Sequence, residues 1–381
     1  MTAAPPKARA SRAELEAKAA RGLLPSGLLF PFHEIRLLAW DESTGTGRIE
    51  AVRRNRPDDW FYACHFLSDP VMPGCWGIDA VWQALRFFAA WRGMPACDKP
   101  LGMEGVSFFG QIRPYDAEIV YCVDVVSIER DADEVLITGK ADVSVDGVPV
   151  YTVASAQVGT AYCWESDAAA PPETSAAPAE AYKARLTWEQ FRARDRFSAS
   201  EVIALSRGTL VSDAPDEMPL LPDSLMLELH EIHHLSRDPA SGEGLALATR
   251  GNGPGEWFYS MNGGVKPAAL LVDGVWQLMG VFHAWLGSAG TGRALGFERV
   301  EFYGAVVPAD ARLTTRVRVL KTFRAPLTGD VFVRADAEVF ADGRKIMSCV
   351  NANVGCHKNI RYADYPLVSE MAFGGKLKTK E

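Results

Sequence analysis

The sequence predicts an α+β protein made of two tandem copies of one unit, each an antiparallel sheet wrapped around a single apolar helix. Three observations carry this prediction. First, four stretches recur in the same order at nearly constant spacing. "DDWFYACHF" (58–66) returns as "GEWFYSMNG" (255–263) at an offset of 197, and "GIDAVWQAL" returns as "LVDGVWQLM" at 194. "LGMEGVSFFGQIRP" (101–114) returns as "LGFERVEFYGAVVP" (295–308) at 194, and "DGVPVYTVASAQVG" (146–159) as "DGRKIMSCVNANVG" (342–355) at 196. Shared order and spacing mark an internal duplication. Second, each copy holds one helix-length run that is apolar on nearly all sides, "DAVWQALRFFAAW" in the first, and only a helix enclosed by other structure tolerates that. Third, runs such as "RLTTRVRVLKTF" and "DVFVRADAEVFADG" alternate with period two, as half-buried strands do.

Along the chain, residues 1–10 read as a flexible N-terminus without the apolar core of a signal peptide. The first unit spans 11–164. A short amphipathic helix in "SRAELEAKAARG" precedes the extended "LLFPFHEIRLLAW". Then come a strand, a Pro/Gly-rich loop (65–74), the central helix and three or four strands. Residues 165–181, "ESDAAAPPETSAAPAEA", are Ala/Pro/Glu-rich without periodicity, as a solvated linker is. The second unit, 182–362, repeats the order with "SASEVIALSRG" and "LMLELHEIHHLSR", and 363–381 form a tail. The change of offset from 197 to 194 places a three-residue deletion between Asn262 and Asp273, inside the second copy's loop. One enclosed helix per sheet is the arrangement called a hot dog, and two in tandem form an intramolecular pseudo-dimer whose further pairing stays open.

Composition bounds the function. The chain is 48% apolar and 23% charged with a net charge of −8, which suits a globular protein and excludes a general nucleic-acid footprint. Seven cysteines (Cys64, Cys75, Cys97, Cys122, Cys163, Cys349, Cys356) are odd in number and lack CxxC spacing, so reduced thiols and a cytoplasmic location are expected. The apolar helices are too short and too interrupted to span a bilayer, so no membrane association is expected.

The stretch "CHFLSDPVMPGCWGIDAVWQ" closely resembles the active-site segment of the β-hydroxydecanoyl-thioester (3-hydroxyacyl-acyl-carrier-protein) dehydratase/isomerase family of fatty-acid synthesis. "LGMEGVSFFGQIRP" and "DGVPVYTVASAQVG" match that family's downstream strands. The resemblance covers most of 11–160 and, more weakly, 196–356. The tandem arrangement is similar to the paired dehydratase domains of polyunsaturated fatty-acid and polyketide-type synthases.

Dehydrating a β-hydroxyacyl thioester requires a base for the α-proton, an acid for the departing hydroxyl and a donor for the carbonyl. His65, the one histidine of either loop, suits the first role, and its apolar flanks Tyr62, Phe66, Val71 and Met72 favour a neutral ring. Gly74 enters the central helix, so its N–H sits at a helix N-terminus where a carbonyl gaining negative charge is stabilised. The resemblance implies a composite site, the histidine of one unit meeting the helix aspartate of the other. Carried over, His65 would face Asp273, with Gln277 one turn on and Val71 and Cys64 in support. Asp79 and Gln83 would face the second loop, where Asn262 replaces the histidine and Ala268 the glycine. An amide has no proton-accepting form near neutral pH, so one competent and one degenerate site are expected. The resemblance also implies an acyl carrier protein as partner, with neither metal nor other cofactor. Because the helix acid is Asp, as in members that also isomerise the trans-2 product to cis-3, it admits isomerisation without requiring it. A non-catalytic acyl-binding module and a hot-dog thioesterase are the rival readings.

Three motifs read as decoys. "HEIHH" (230–234) fits the H-E-x-x-H zinc pattern, but on an extended segment i and i+4 lie roughly 13 Å apart and cannot share an ion. "PDSL" (222–225) has the serine of a phosphopantetheine carrier without its helical bundle. "GNGPG" (251–255) links two strands, and a turn suffices. A carrier-docking surface is expected on "RVRVLKTFRAP" (316–326), through Arg318, Lys321 and Arg324. The first copy carries Asp131, Asp133 and Glu134 in the matching region.

Overall fold

Alternating side chains make the strands amphipathic ribbons, and burial follows the alternation. Ile119, Tyr121, Val123 and Val125 of one strand all lie inside while the intervening residues do not. The computed structural model describes residues 8–19, 24–41, 43–66, 69–132, 134–162, 184–215 and 218–358. The linker read at 165–181, the tail at 363–381 and residues 1–7 fall outside them.

The first copy contains β1 (Ala8–Ser11), α1 (Arg12–Ala19), β2 (Glu34–Trp40), β3 (Gly47–Arg54), α2 (Gly74–Trp91), β4 (Lys99–Phe108), β5 (Glu118–Asp131), β6 (Glu134–Val145) and β7 (Val148–Gly159). The second contains α3 (Trp188–Ala193), α4 (Ala199–Ser206), β8 (Glu231–Arg237), β9 (Gly244–Gly251), α5 (Ala268–Trp285), β10 (Thr291–Phe302), β11 (Arg312–Arg324), β12 (Val331–Ala341) and β13 (Arg344–His357). These strands form one sheet of order β1-β2-β3-β5-β6-β7-β4-β10-β13-β12-β11-β9-β8. Setting β1 aside, the order read inward from one edge repeats, strand for strand, the order read inward from the other. The duplication seen in the sequence is therefore a duplication of topology, and the fold is a double hot dog.

Each half curls around its own helix. α2 packs on β3, β5, β6 and β7, and α5 on β9 to β13. Both helices are 18 residues long, begin after a proline that ends the preceding loop, and bury most of their residues, including Asp79, Gln83, Asp273 and Gln277. Two helix N-termini carry reciprocal capping, Thr187 with Gln190 on α3 and Ser198 with Glu201 on α4.

The halves join at the antiparallel β4–β10 pair, with Val106 opposite Phe297 and Glu104 opposite Arg299. Gly296 has a φ of +119°, and a Cβ there would sit 1.9 Å from the Val106 carbonyl oxygen, so only glycine closes this seam. Chain segments also cross between halves. The Ser26 amide donates to the Met261 carbonyl (2.8 Å), and its counterpart Asp223 donates to the Cys64 carbonyl (3.0 Å). Trp60 and Trp257 meet edge-on between these crossings, ring centres 5.3 Å apart.

Candidate active site

The loop that carries His65 is tied down by its own backbone. The Val71 amide donates to the His65 carbonyl (3.0 Å), and the Met72 amide donates to Ile112 (2.9 Å). The His65 ring is buried, and its Nδ1 lies 3.0 Å from the Val71 carbonyl oxygen. A carbonyl only accepts, so Nδ1 carries the proton and Nε2 keeps its lone pair. Burial lowers the imidazole pKa to about 4; the Val71 bond and Asp69 oppose this, and Arg293 adds to it. The ring is therefore neutral at physiological pH, a base rather than an acid.

His65 lines a pocket with about 910 Å³ of empty volume that also takes in Val71, Gly74, Asp273 and Gln277. Gly74 heads α2, where first-turn amides have no intrahelical acceptor. A Cβ at this position would come within 3.1 Å of the Phe108 ring. Glycine thus keeps the amide approachable between ring and helix.

Asp273 comes from the other copy. Gln277, one turn on, donates to its Oδ2 (2.7 Å) and to the Met226 carbonyl (2.6 Å), while the Gln277 side-chain oxygen accepts from the Glu228 amide (2.8 Å). The carboxyl is fixed in direction and fully enclosed. Burial pushes its pKa up to about 7, Gln277 holds it back, and the Glu228 carboxylate raises it further. A substantial fraction of Asp273 is therefore protonated near neutrality, beside a base that is not. Cys64, expected to support this site, does not line the pocket. Its buried thiol points to the Phe61 carbonyl (3.5 Å), and burial lifts its pKa to about 12, so it is an inert packing group.

The second loop is built differently. The Asn262 side chain donates to the Val265 carbonyl (3.2 Å) three residues on. Lys266 stands where the first loop has Met72, and Glu228 where the first copy has Pro31. They meet at 2.8 Å, Arg250 approaches Glu228 at 3.3 Å, and Arg250 also pairs with Glu256 at 2.8 Å. Burial lowers the Lys266 pKa to about 8. A buried charge cluster thus occupies the region of the degenerate loop. Asp79, pushed up to about 6 by burial and held back by Gln83, borders a small cavity of about 270 Å³ walled by first-copy residues. Neither Asn262 nor Ala268 lines that cavity.

Two features of the His65 pocket have no counterpart among the sequence expectations. Arg293 of β10 bonds Asp69 (2.7 Å) and Gln111 (2.9 and 3.0 Å), pinning the His65 loop to the second copy. Trp276 and Tyr151 line the pocket as well. The Lys266–Glu228 pair was visible in the repeat alignment as two charges facing Met72 and Pro31; Arg293 had no comparable signal. His233 and His234 of "HEIHH" lie on strand β8, and His230 just precedes it. Their ring nitrogens pair with Gly251 N, Thr249 and Ser236 respectively for His230, His233 and His234. On the expected docking strand, Arg318 pairs with Asp336 (2.6 Å), Arg316 with Glu338, and Arg324 donates to the Gly329 carbonyl (3.1 Å). Lys321 sits opposite Arg334. Among the described residues no group of acidic, cysteine and histidine side chains could hold a metal ion, no helix is long and apolar enough to cross a membrane, and Cys64, Cys75, Cys97, Cys122 and Cys349 are free thiols; Cys163 lies outside the described residues.

The FabA-like domain model matches twice, over residues 24–154 and 221–350. The chain belongs to the FabA-like family. Among solved structures, it is similar to an inactive mutant of the CurJ dehydratase in complex with a compound, with 13% identity over 88% of this chain and 98% of that one and a TM-score of 0.48. The dehydratase domain from the terminal module of the rifamycin polyketide synthase shares 12% identity over 88% and 99%, with a TM-score of 0.44. A putative thioesterase from Novosphingobium aromaticivorans shares 13% over 81% and 96%, also at 0.44.

Proposed function

We propose that this FabA-like protein dehydrates a 3-hydroxyacyl thioester, presented on an acyl carrier protein, to the 2-enoyl thioester. The observation that carries the reading is one pocket, lined from both copies, that brings together the buried imidazole of His65, the buried carboxyl of Asp273 and Gly74 at the N-terminus of α2. The thioester carbonyl accepts from the Gly74 N–H as charge develops on its oxygen. His65 Nε2 takes the C2 proton, the electron pair forms the C2–C3 double bond, and the C3–O bond breaks. Asp273 gives its proton to the departing oxygen, which leaves as water. The proton on His65 returns to the Asp273 carboxylate, directly or through that water, and the site is reset. The same pair admits, without requiring, a shift of the double bond from trans-2 to cis-3, in which His65 takes a C4 proton, the double bond moves from C2–C3 to C3–C4, Asp273 gives its proton to C2, and the proton on His65 returns to the Asp273 carboxylate.

A single assay tests the reading. With a 3-hydroxyacyl pantetheine thioester, enoyl absorbance should rise without free thiol. His65→Ala should lower turnover by about 10² or more while leaving the fold intact. Near-normal turnover in that variant would sink the base assignment. Free thiol without enoyl product would make the protein a thioesterase, and neither product would make it an acyl-binding module.

A further inference from the structure

Two hydrogen-bond donors in the pocket wall go unused. Trp276 and Tyr151 both line the pocket and are 6% and 3% exposed. Among the described residues, neither the Trp276 indole nitrogen nor the Tyr151 hydroxyl has a hydrogen-bond partner. Both rings pack against Phe108, with centres 5.8 and 5.0 Å away. Phe108 in turn lies against Gly74, the proposed carbonyl-binding residue. The Tyr151 hydroxyl sits over Gly77, where a Cβ would be only 2.7 Å from it. Behind it, the Tyr121 hydroxyl is near enough to interact, yet it too closes no hydrogen bond.

The duplication supplies an internal control. The counterpart of Trp276 is Trp82, whose indole nitrogen donates to the Gly102 carbonyl (3.1 Å). The counterpart of Tyr151 is Met347, which has no donor, and that of Gly77 is Leu271, which would fill the space. The fold therefore does not require these donors to be orphaned. Each is orphaned where it lines the His65 pocket, and buried donors without acceptors are unfavourable unless a ligand satisfies them.

We propose that Trp276 and Tyr151 bind a second oxygen atom of the substrate, distinct from the thioester carbonyl at Gly74 and the hydroxyl leaving at Asp273. The ligand atom must be an acceptor, because the indole nitrogen only donates. Gly77 lies three residues along α2 from Gly74, a rise of about 4.5 Å, so this oxygen belongs within a few bonds of the thioester. Two sources have that chemistry: an oxygen on the acyl chain beyond C3, and the first amide carbonyl of the pantetheine arm. The inference rests on the pocket being a thioester site.

The test compares wild type and Tyr151→Phe on three thioesters: an unbranched 3-hydroxyacyl pantetheine, its 5-hydroxy analogue, and the unbranched chain on a simple alkyl thiol without an amide. Tyr151→Phe should lower kcat/KM by about tenfold or more wherever the recognised oxygen is present. Loss on both pantetheine esters but not the alkyl thioester assigns the amide carbonyl. Loss confined to the 5-hydroxy ester assigns the acyl oxygen. Equal loss on all three, or none, overturns the proposal. A second readout does not need turnover. Titration with an unreactive S-alkyl pantetheine thioether and its 5-hydroxy analogue should change Trp emission in wild type but not in Trp276→Phe, with weaker binding in Tyr151→Phe. Equal affinity of wild type and Tyr151→Phe for both thioethers overturns the proposal alone. Failure of either to bind overturns the thioester reading with it.

Discussion

Asp273 and His65 hold opposite protonation states because burial penalises the charged form of each, raising the acid's pKa and lowering the base's. The proposed dehydration needs His65 neutral and Asp273 protonated. The kcat/KM profile should therefore be bell-shaped, with an acid limb near pH 4 and an alkaline limb near pH 7. A profile still rising above pH 8 would remove Asp273 as the acid. The same logic separates the two aspartates. Asp273→Asn keeps the shape and the hydrogen bond to Gln277 but has no proton to give, so turnover should fall by about 10² or more. Asp79→Asn should leave turnover nearly unchanged, because Asp79 does not line the His65 pocket. The reverse result would mean that each copy uses its own helix.

At the scale of the elements, α2 and α5 show how one helix design serves two ends. Both place an aspartate and a glutamine a turn apart and anchor the glutamine to the backbone of the segment before β2 or β8, through Leu29 and Met226. What differs is the company. In the second copy Glu228, Lys266 and Arg250 are buried together near α5, and Glu228 helps to keep Asp273 protonated. Glu228→Gln should leave two buried cations short of a partner and cost about 3 kcal/mol or more in denaturant unfolding. In the same variant the alkaline limb of the pH profile should move to lower pH, since a carboxylate that raised the Asp273 pKa is gone and Lys266 remains. An unmoved limb would show that the cluster is purely structural.

For the whole molecule, the His65 pocket is lined from both copies because the two are joined as one continuous sheet. β4 and β10 fix the halves edge to edge, and Arg293 on β10 grips Asp69 and Gln111 of the first copy. Carrier docking belongs to this scale too. Arg318 is partly neutralised by Asp336, so the attraction expected of β11 falls more on Lys321 and Arg324. Reversing the charge of Arg318, Lys321 and Arg324 together should weaken turnover of a carrier-bound substrate and flatten its salt dependence, while a pantetheine thioester is processed as before. Equal loss on both substrates would indicate misfolding, and loss on neither would move the docking surface elsewhere.

The duplication, the hot-dog unit and the residues of the loop and helix are legible in the amino-acid order alone, because repeats, periodicity and a long ordered motif are written locally along the chain. The chain also holds the capping signature T-x-x-Q at Thr187, which marks the start of α3. It kept β8 extended, since the pattern around "HEIHH" is strand-like. The features that depend on the folded chain lie between residues far apart in sequence. Asp273 and His65 meet in one pocket across 208 positions (273 − 65), and Arg293 reaches Asp69 across 224. The Trp276 and Tyr151 donors end without partners beside Phe108, with the Tyr151 hydroxyl over space that a side chain at position 77 would fill. Burial is likewise a property of the assembled molecule, and burial is what separates the pKa values of an aspartate and a histidine whose sequences alone would leave both at ordinary values.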